Sequence, residues 1–475
     1  VNILEAIKRQ DVLGATIRDQ ATFTAWLAFL AALFGLPMDQ ASADLFRACT
    51  GRETLPVAAF SESWLCCGRR AGKSFVMALI AVFLATFRDY QQYLGIGERT
   101  TVMIVAADRR QARVIMRYVR GILALPVFAK MVAAETKESF DLTNRVTIEV
   151  ATASIKAVRG YSICAALIDE IAFLPQDDSA SPDFEILDSI RPAMATIPGA
   201  VMICASSPYA RRGALWDAYK RYFGKDDAPV LVWQAATRVM NPTVPQSVID
   251  QAMERDAASA SAEYLAQFRL DIEAYIRREA VEAVIDAGVF ERGSIPGQRY
   301  FGFTDAAGGS GQDSYTLAIA HREKEIVLLD AVREVRPPFS PESVTKQFAE
   351  LLKVYHITTV HGDRYAGDWP GEQYRKHGVA YKPSERTTSE NYGEMLPVIN
   401  SGKCSLLDHT RMFQQIIGLE RKTARSGKDS ISHAPGAHDD IAAAVAGVLK
   451  LAIGGNQPME ISKEFLARTR GFRHN

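Results

Sequence analysis

Eight residues, Cys67-Gly68-Arg69-Arg70-Ala71-Gly72-Lys73-Ser74, constrain this chain more than any others. A short apolar run, Ser63-Trp64-Leu65-Cys66, precedes them and reads as a strand, and Phe75 to Leu84 follows and reads as a buried helix. A strand, a tight loop ending in Gly-Lys-Ser and a helix make a phosphate-binding P-loop. Backbone N–H groups at a helix N-terminus point into one concavity and bind phosphate oxygens. Gly72 lets the backbone approach closely, and Gly68, Arg69, Arg70 and Ala71 complete the loop. Lys73 is expected to reach the β- and γ-phosphates of ATP, and Ser74 to offer its hydroxyl to Mg²⁺. The usual pattern has glycine where Cys67 stands, and an ordinary strand-to-helix turn is the plainer alternative.

Further along, Cys164 to Ile168 reads as an apolar strand ending in Asp169-Glu170. Behind a P-loop, that pairing assigns Asp169 to Mg²⁺ through water and Glu170 to the general base that activates the attacking water. Without the P-loop it would be a strand ending in solvated acids. Val201 to Ala205 reads as another buried strand, ending in Ser206-Ser207, where a hydroxyl could sense the γ-phosphate and couple hydrolysis to movement. Thr100 to Ala107 followed by Asp108 and the helix Arg109 to Leu123 is one strand–helix unit of a parallel sheet. Arg52, upstream of the loop, reads either as an adenine-stacking residue or as half of a surface salt bridge.

Length and charge bound the rest. A chain of 475 residues suggests two or three domains. Lys plus Arg equals Asp plus Glu at 55 each, so net charge gives no argument for nucleic acid, and any DNA-binding surface must be a local patch. The six cysteines show no metal-site spacing and read as reduced core residues of a cytosolic protein. No signal peptide and no membrane-spanning run is visible. The expected divisions are a helical segment at 1–50, an ATPase core at 51–224, a helical linker or lid at 225–297 with a boundary near Pro296, a second domain at 298–454 and a tail at 455–475.

In the second half, Arg299 to Thr304 reads as a strand ending in Asp305, and Thr358 to Gly362 as one ending in Asp363. Between them lie the antiparallel pair Tyr315 to Ala320 and Glu325 to Asp330, and the helix Pro341 to Tyr355. Asp439 and Asp440 stand at the start of the helix Ile441 to Ile453. Singly, such acids are helix caps or turn formers. Together they form the carboxylate cluster of a ribonuclease-H-like fold, with Asp305, Asp363 and Asp440 as catalytic residues and Asp305, Asp363, Asp439 and Asp440 as ligands of Mg²⁺ or Mn²⁺. Asp440 is the expected direct ligand, with Asp439 as cap or outer support. Asp313 and His438 are auxiliary candidates. Lys382, Arg386 and Lys403 face either DNA phosphates or solvent.

With these parts in this order, the chain resembles the large terminase subunits of tailed bacteriophages over about Arg52 to Ile453. The resemblance rests on the Cys67–Ser74 loop and on Ala106-Ala107-Asp108 with Gln111-Ala112. It rests equally on Arg159-Gly160 ahead of Leu167–Glu170, on Ser206-Ser207-Pro208, on Asp305, on Asp363 and on His438-Asp439-Asp440. The missing first glycine and Arg69 inside the loop are both typical of that family. The resemblance implies an α/β chain in which an N-terminal, ASCE-type P-loop NTPase domain with a parallel sheet precedes a ribonuclease-H-like nuclease. It implies a viral DNA-packaging motor, an ATP-hydrolysing translocase whose metal-dependent endonuclease cuts concatemeric DNA. ATP and Mg²⁺ are the implied cofactors, with Mn²⁺ an option in the nuclease. Double-stranded DNA, a portal protein, a small terminase subunit and a ring of copies on the portal are the implied partners. No membrane is involved, and the bacterial host cytoplasm is the implied setting. An arginine from a neighbouring copy is also implied, with Arg109, Arg159, Arg211 and Arg212 as candidates. Two alternatives compete. A helicase-like repair nuclease would carry a second motor domain, and a non-catalytic nucleotide-binding assembly protein would not need Glu170.

Overall fold

Strands apolar at every position must be covered on both faces, and the runs around Leu65, Ile104, Leu167 and Ile203 are of this kind. In the computed structural model, which describes residues 1–152, 160–174, 182–363, 369–423 and 429–454, they build the first of two units, Val1–Glu273. Its strands are β1 (Glu62–Cys67), β2 (Thr100–Ala106), β3 (Val132–Glu135), β4 (Ser139–Leu142), β5 (Val146–Thr152), β6 (Ser162–Asp169), β7 (Val201–Ser206) and β8 (Val230–Ala235). They form one sheet in the order β3-β4-β5-β2-β6-β7-β1-β8. From β5 to β8 every neighbouring pair is parallel. Successive side chains of a strand face opposite ways, so Leu65 and Cys67 enter one core with the helix Lys73–Phe87, while Trp64 and Cys66 enter another with Leu187 and Leu215. β7 lies between β1 and β6, which brings the ends of the P-loop strand, the Asp169 strand and the Ser206 strand to one edge.

Several expectations shift, the boundary near Pro296 among them, since the two units divide between Glu273 and Ala274. The stretch 225–297, expected to be helical, does hold the helices Gln246–Arg255 and Ala257–Leu265. It also supplies β8, which pairs in parallel with β1. Val230-Leu231-Val232-Trp233 has the β-branched and aromatic content of a strand, and the helical composition downstream obscures it. Residues 1–50 are not a separate segment either. Ile3, Trp26, Phe29 and Phe46 share a core with Val76 to Ala85, and Phe29 meets Trp233 edge-on at 5.6 Å. Arg52 follows neither of its readings. It is 4 % exposed and donates to the carbonyls of Asp226, Ala228 and Val230, the last at 2.6 Å, with its guanidinium over the Phe60 ring. All six cysteines are buried thiols, as expected.

β9 (Ile272–Ala274) crosses the boundary between the units in sequence. The second unit, Ala274–Asn475, holds β10 (Ile285–Asp286), β11 (Tyr300–Asp305), β12 (Tyr315–Glu323), β13 (Ile326–Val335), β14 (Thr359–Gly362), β15 (Ala380–Pro383) and β16 (Cys404–Leu407). Their order is β10-β16-β13-β12-β11-β14-β15. β11, β12 and β13 are antiparallel neighbours, and β14 and β15 add in parallel beside β11. Three leading antiparallel strands with two parallel ones beside the first is the ribonuclease-H arrangement. The helix Asp440–Gly454 shares a core with Phe303, Ala318 and Leu329. A Cβ on its Gly447 would come within 2.4 Å of the Phe303 ring, so glycine lets the helix lie close over β11. That contact fixes where Asp440 stands. A hairpin, β17 (Leu419–Thr423) with β18 (Asp429–His433), completes the unit's described sheets. Among the described residues no helix is long and apolar enough to cross a membrane.

Candidate nucleotide and metal sites

The loop between β1 and the Lys73 helix is braced from outside. Arg70 at φ 66° and Gly72 at φ 102° take left-handed backbone, which turns the chain sharply into the helix. Thr237 Oγ1 donates to Arg69 O at 2.8 Å, Asn241 Nδ2 to Arg70 O at 2.9 Å and Trp26 Nε1 to Ala71 O at 3.0 Å. A Cβ on Gly68 would fall 2.3 Å from Thr237 Oγ1, so only glycine fits there. The Arg69 side chain reaches Glu263 at 3.3 Å. None of the bracing side chains belongs to a motif. Thr237 and Asn241 follow β8, in the stretch expected to be a lid, and Trp26 comes from the first fifty residues.

Lys73 is buried, with Nζ donating to Cys67 O at 3.1 Å and to Ser207 Oγ at 3.3 Å, and it stands 3.3 Å from Glu170 Oε1. Burial pulls its pKa down, but Glu170 and Asp169 outweigh that and hold it above the ordinary lysine value. Ser74 Oγ donates to Asp169 Oδ2 at 2.7 Å. Burial pushes Asp169 up to about 6, with Glu170 adding to the rise and Lys73 opposing it. Glu170 itself sits in left-handed backbone at φ 52°. Its Oε2 accepts from Ser206 Oγ at 3.1 Å and from the Ser207 N–H at 3.2 Å. The two serines at the end of β7 therefore grip the acid that follows β6. A buried ammonium, a hydroxyl bonded to a carboxylate and a second carboxylate held by a neighbouring strand suit a nucleotide triphosphate with its Mg²⁺.

The arginine candidates are scattered. Arg211 lies over the Trp216 ring at 5.2 Å and Arg212 immediately precedes the helix Gly213–Tyr222. Arg159 lies outside the described residues. Arg109 opens the helix Arg109–Leu123, on which Arg109, Arg110, Arg113 and Arg117 are exposed and no acid occurs. Toward its end the helix pairs Arg120 with Glu135, and elsewhere arginines such as Arg278 and Arg333 pair with Glu282 and Glu291. This helix is a local basic surface.

In the second unit the expected acids converge on a cleft of about 480 Å³ lined by Asp305, Asp313, Asp363, Asp439 and Asp440. Among the described residues that line it there is no lysine or arginine. Burial pushes the Asp305 pKa well above the carboxylate range, and the charges of Asp440, Asp363, Asp439 and Asp313 push it further. Burial raises Asp440 to about 6, against the Ser314 N–H and His438, which oppose the rise. Ser314 N donates to Asp440 Oδ2 at 2.9 Å, and Thr316 Oγ1 to Asp440 O at 2.8 Å, so β12 and the turn before it fix this residue. Oxygen ligands crowded without a protein cation are the donor set that hard divalent ions take. One trio departs from the expected set. Ligand atoms of Asp313, His438 and Asp440 all lie within 4.8 Å of one another, which brings both auxiliary candidates to the cluster.

Of the two parts expected for Asp439, cap or outer support, its side chain does not take the first: its Oδ2 accepts from Tyr392 Oη at 2.8 Å. The N–H groups of Ile441 and Ala442 go instead to Gln415 Oε1, at 2.8 and 3.1 Å. Tyr392, Gln415 and Ser314 carry no sequence signal for this site. Of the basic candidates, Arg386 pairs with Glu394 and Lys403 lies 3.5 Å from Glu325, while Lys382 is exposed.

Residues 65–181 match the family model described as terminase large subunit, T4likevirus-type, N-terminal. No curated protein matches the chain. Among solved structures, the large terminase of bacteriophage HK97 aligns at 15% identity over 88% of this chain and 96% of that one, with a TM-score of 0.39. The large terminase of a thermophilic bacteriophage aligns at 10% identity over 88% and 100%, with a TM-score of 0.39. The large terminase nuclease of thermophilic phage G20c aligns at 14% identity over 36% and 95%, with a TM-score of 0.32.

Proposed function

We propose that the chain is the large terminase of a tailed bacteriophage, an ATP-driven translocase of duplex DNA that also cuts it. The observation that carries this reading is the position of Glu170, held at once by Lys73 and by Ser206 and Ser207 of the interposed strand end. A base bonded to a neighbouring strand can pass the state of the nucleotide to the sheet, which a binding-only site does not need. Bound ATP with Mg²⁺ supplies the phosphoanhydride, and divalent ions in the second unit supply Lewis acidity toward a phosphodiester. Lys73 meets phosphate charge, Ser74 and Asp169 orient the cation, and Glu170 takes the proton of the attacking water. In the second unit Asp305, Asp363, Asp439 and Asp440 hold metal, with His438 and Asp313 at its margin. The arginines of the helix Arg109–Leu123 suit the phosphate backbone. A portal protein, a small subunit and a ring of copies in the host cytoplasm complete the reading.

The test uses Glu170→Gln. ATP turnover should fall about 10²–10⁴-fold, nucleotide binding should persist, and plasmid cleavage in Mg²⁺ or Mn²⁺ should continue. Wild-type turnover in this variant would remove Glu170 as the base. Wild-type protein that neither hydrolyses ATP faster with duplex DNA nor cleaves it in either metal would sink the whole reading.

A further inference from the structure

We infer that Gln415 is a positioning residue of the metal site, acting by capping a helix in place of Asp439 and so leaving that carboxylate to the cleft. The inference rests on the reading of the cleft as a divalent-metal site. The residue just before a helix ordinarily turns its side chain back to accept the N–H of the second or third helical residue. Here the helix begins at Asp440, so Asp439 is the residue so placed, and the groups to be capped are those of Ile441 and Ala442. Both donate to Gln415 Oε1, which arrives from the separate helix Thr410–Gly418. Gln415 is 7 % exposed, and its Nε2 has no hydrogen-bond partner. A buried amide that leaves its donor unmatched is costly unless its acceptor is needed. Here the acceptor alone is used, on two donors. Relieved of capping, the Asp439 carboxylate takes the Tyr392 hydroxyl and lines the cleft. The same substitution of caps allows two adjacent acids at one helix start to serve one site, since neither is spent on the helix itself.

Gln415→Met keeps the length and removes the acceptor. The Asp439 side chain should then turn to cap the helix. Mn²⁺ binding to the full chain, followed by electron paramagnetic resonance, should weaken roughly 10–100-fold, and the metal concentration for half-maximal plasmid cleavage should rise in parallel. The thermal midpoint should change little, because one cap replaces another. Gln415→Glu restores an acceptor at the same reach and should return metal binding to within a few-fold of wild type. In an Asp439→Ala background, Gln415→Met should have no further effect on Mn²⁺ binding but should lower the thermal midpoint, since no cap remains. Unchanged Mn²⁺ binding in Gln415→Met, or an equal loss in both backgrounds, would overturn the inference. Wild-type protein that binds no Mn²⁺ would instead overturn the metal reading on which it rests.

Discussion

The two candidate sites solve the same electrostatic problem in opposite ways. In the first unit, two acids at the end of β6 are answered from within by Lys73, which stands between the loop carbonyls and Glu170. In the second unit, five aspartates line one cleft with no lysine or arginine among the described residues of its wall. The first site carries its own counter-charge and is preformed for an anion. The second is short of positive charge, and the charges of its neighbouring aspartates add to burial in raising the Asp305 pKa. Coulomb interactions between buried charges are large enough for this to matter to stability.

The sharpest way to break the contrast is to exchange signs. Lys73→Ala leaves Asp169 and Glu170 without their cation, and the first unit should lose about 3–5 kcal/mol along with ATP hydrolysis. Asp305→Asn removes one of the mutually repelling groups, so cleavage should vanish while the second unit unfolds at a higher temperature. Calorimetry on the full chain reads both. Destabilisation by both variants would mean that the carboxylate cluster is compensated by groups of the protein after all.

Metal and pH give the next effect. With no nucleotide present, Mg²⁺ or Mn²⁺ at 100 times its dissociation constant should stabilise the second unit by about 2.7 kcal/mol and leave the first unchanged. Asp440 has a folded pKa of about 6 against an ordinary 3.8. Between those values the folded state keeps a proton that the unfolded chain releases. Its contribution is therefore most favourable below pH 4 and is lost as pH rises through 6. Asp169 has the same sign and the same value, so pH alone does not separate the units. Divalent metal does, by removing the pH slope only where Asp305 and Asp440 lie. A slope in the second unit that metal leaves untouched would contradict the assignment.

The smallest effect concerns the basic helix. Arg113→Glu and Arg117→Glu should weaken duplex binding a few-fold each, and each should reduce the slope of log affinity against log salt by about one. Fluorescence anisotropy across a salt series measures this. Identical slopes would leave that face solvated and move the DNA surface elsewhere.

Much of both candidate sites was legible because their chemistry is local. A Gly-Lys-Ser loop, a strand ending in Asp-Glu and acids at strand ends declare themselves within a few residues. What was illegible depends on partners far away in sequence. Trp26 braces Ala71 from 45 residues off, and Arg52 finds its carbonyls beyond residue 225. Gln415 is an ordinary amide on an amphipathic helix until the fold lays it against Ile441. β8 was hidden because the helices after it set the character of the whole stretch. Adjacent acids at a helix start were legible as a pair, but the cap supplied by another helix was not, since capping rules read only the chain next to the helix.

The burial of Trp26 and Phe29 beneath the P-loop helix has a consequence for how the chain can be taken apart. A cut before Arg52, where the motifs begin, would strip the cover from the inner face of Lys73–Phe87 and from Trp233, and remove the indole that holds Ala71. The fragment would keep every recognisable nucleotide motif and expose a broad apolar face, which marks an aggregating product. Motif boundaries and cleavable boundaries do not coincide here. Limited proteolysis should spare the joint between residues 50 and 52 while ATPase activity lasts, and nicking there should end both solubility and turnover together.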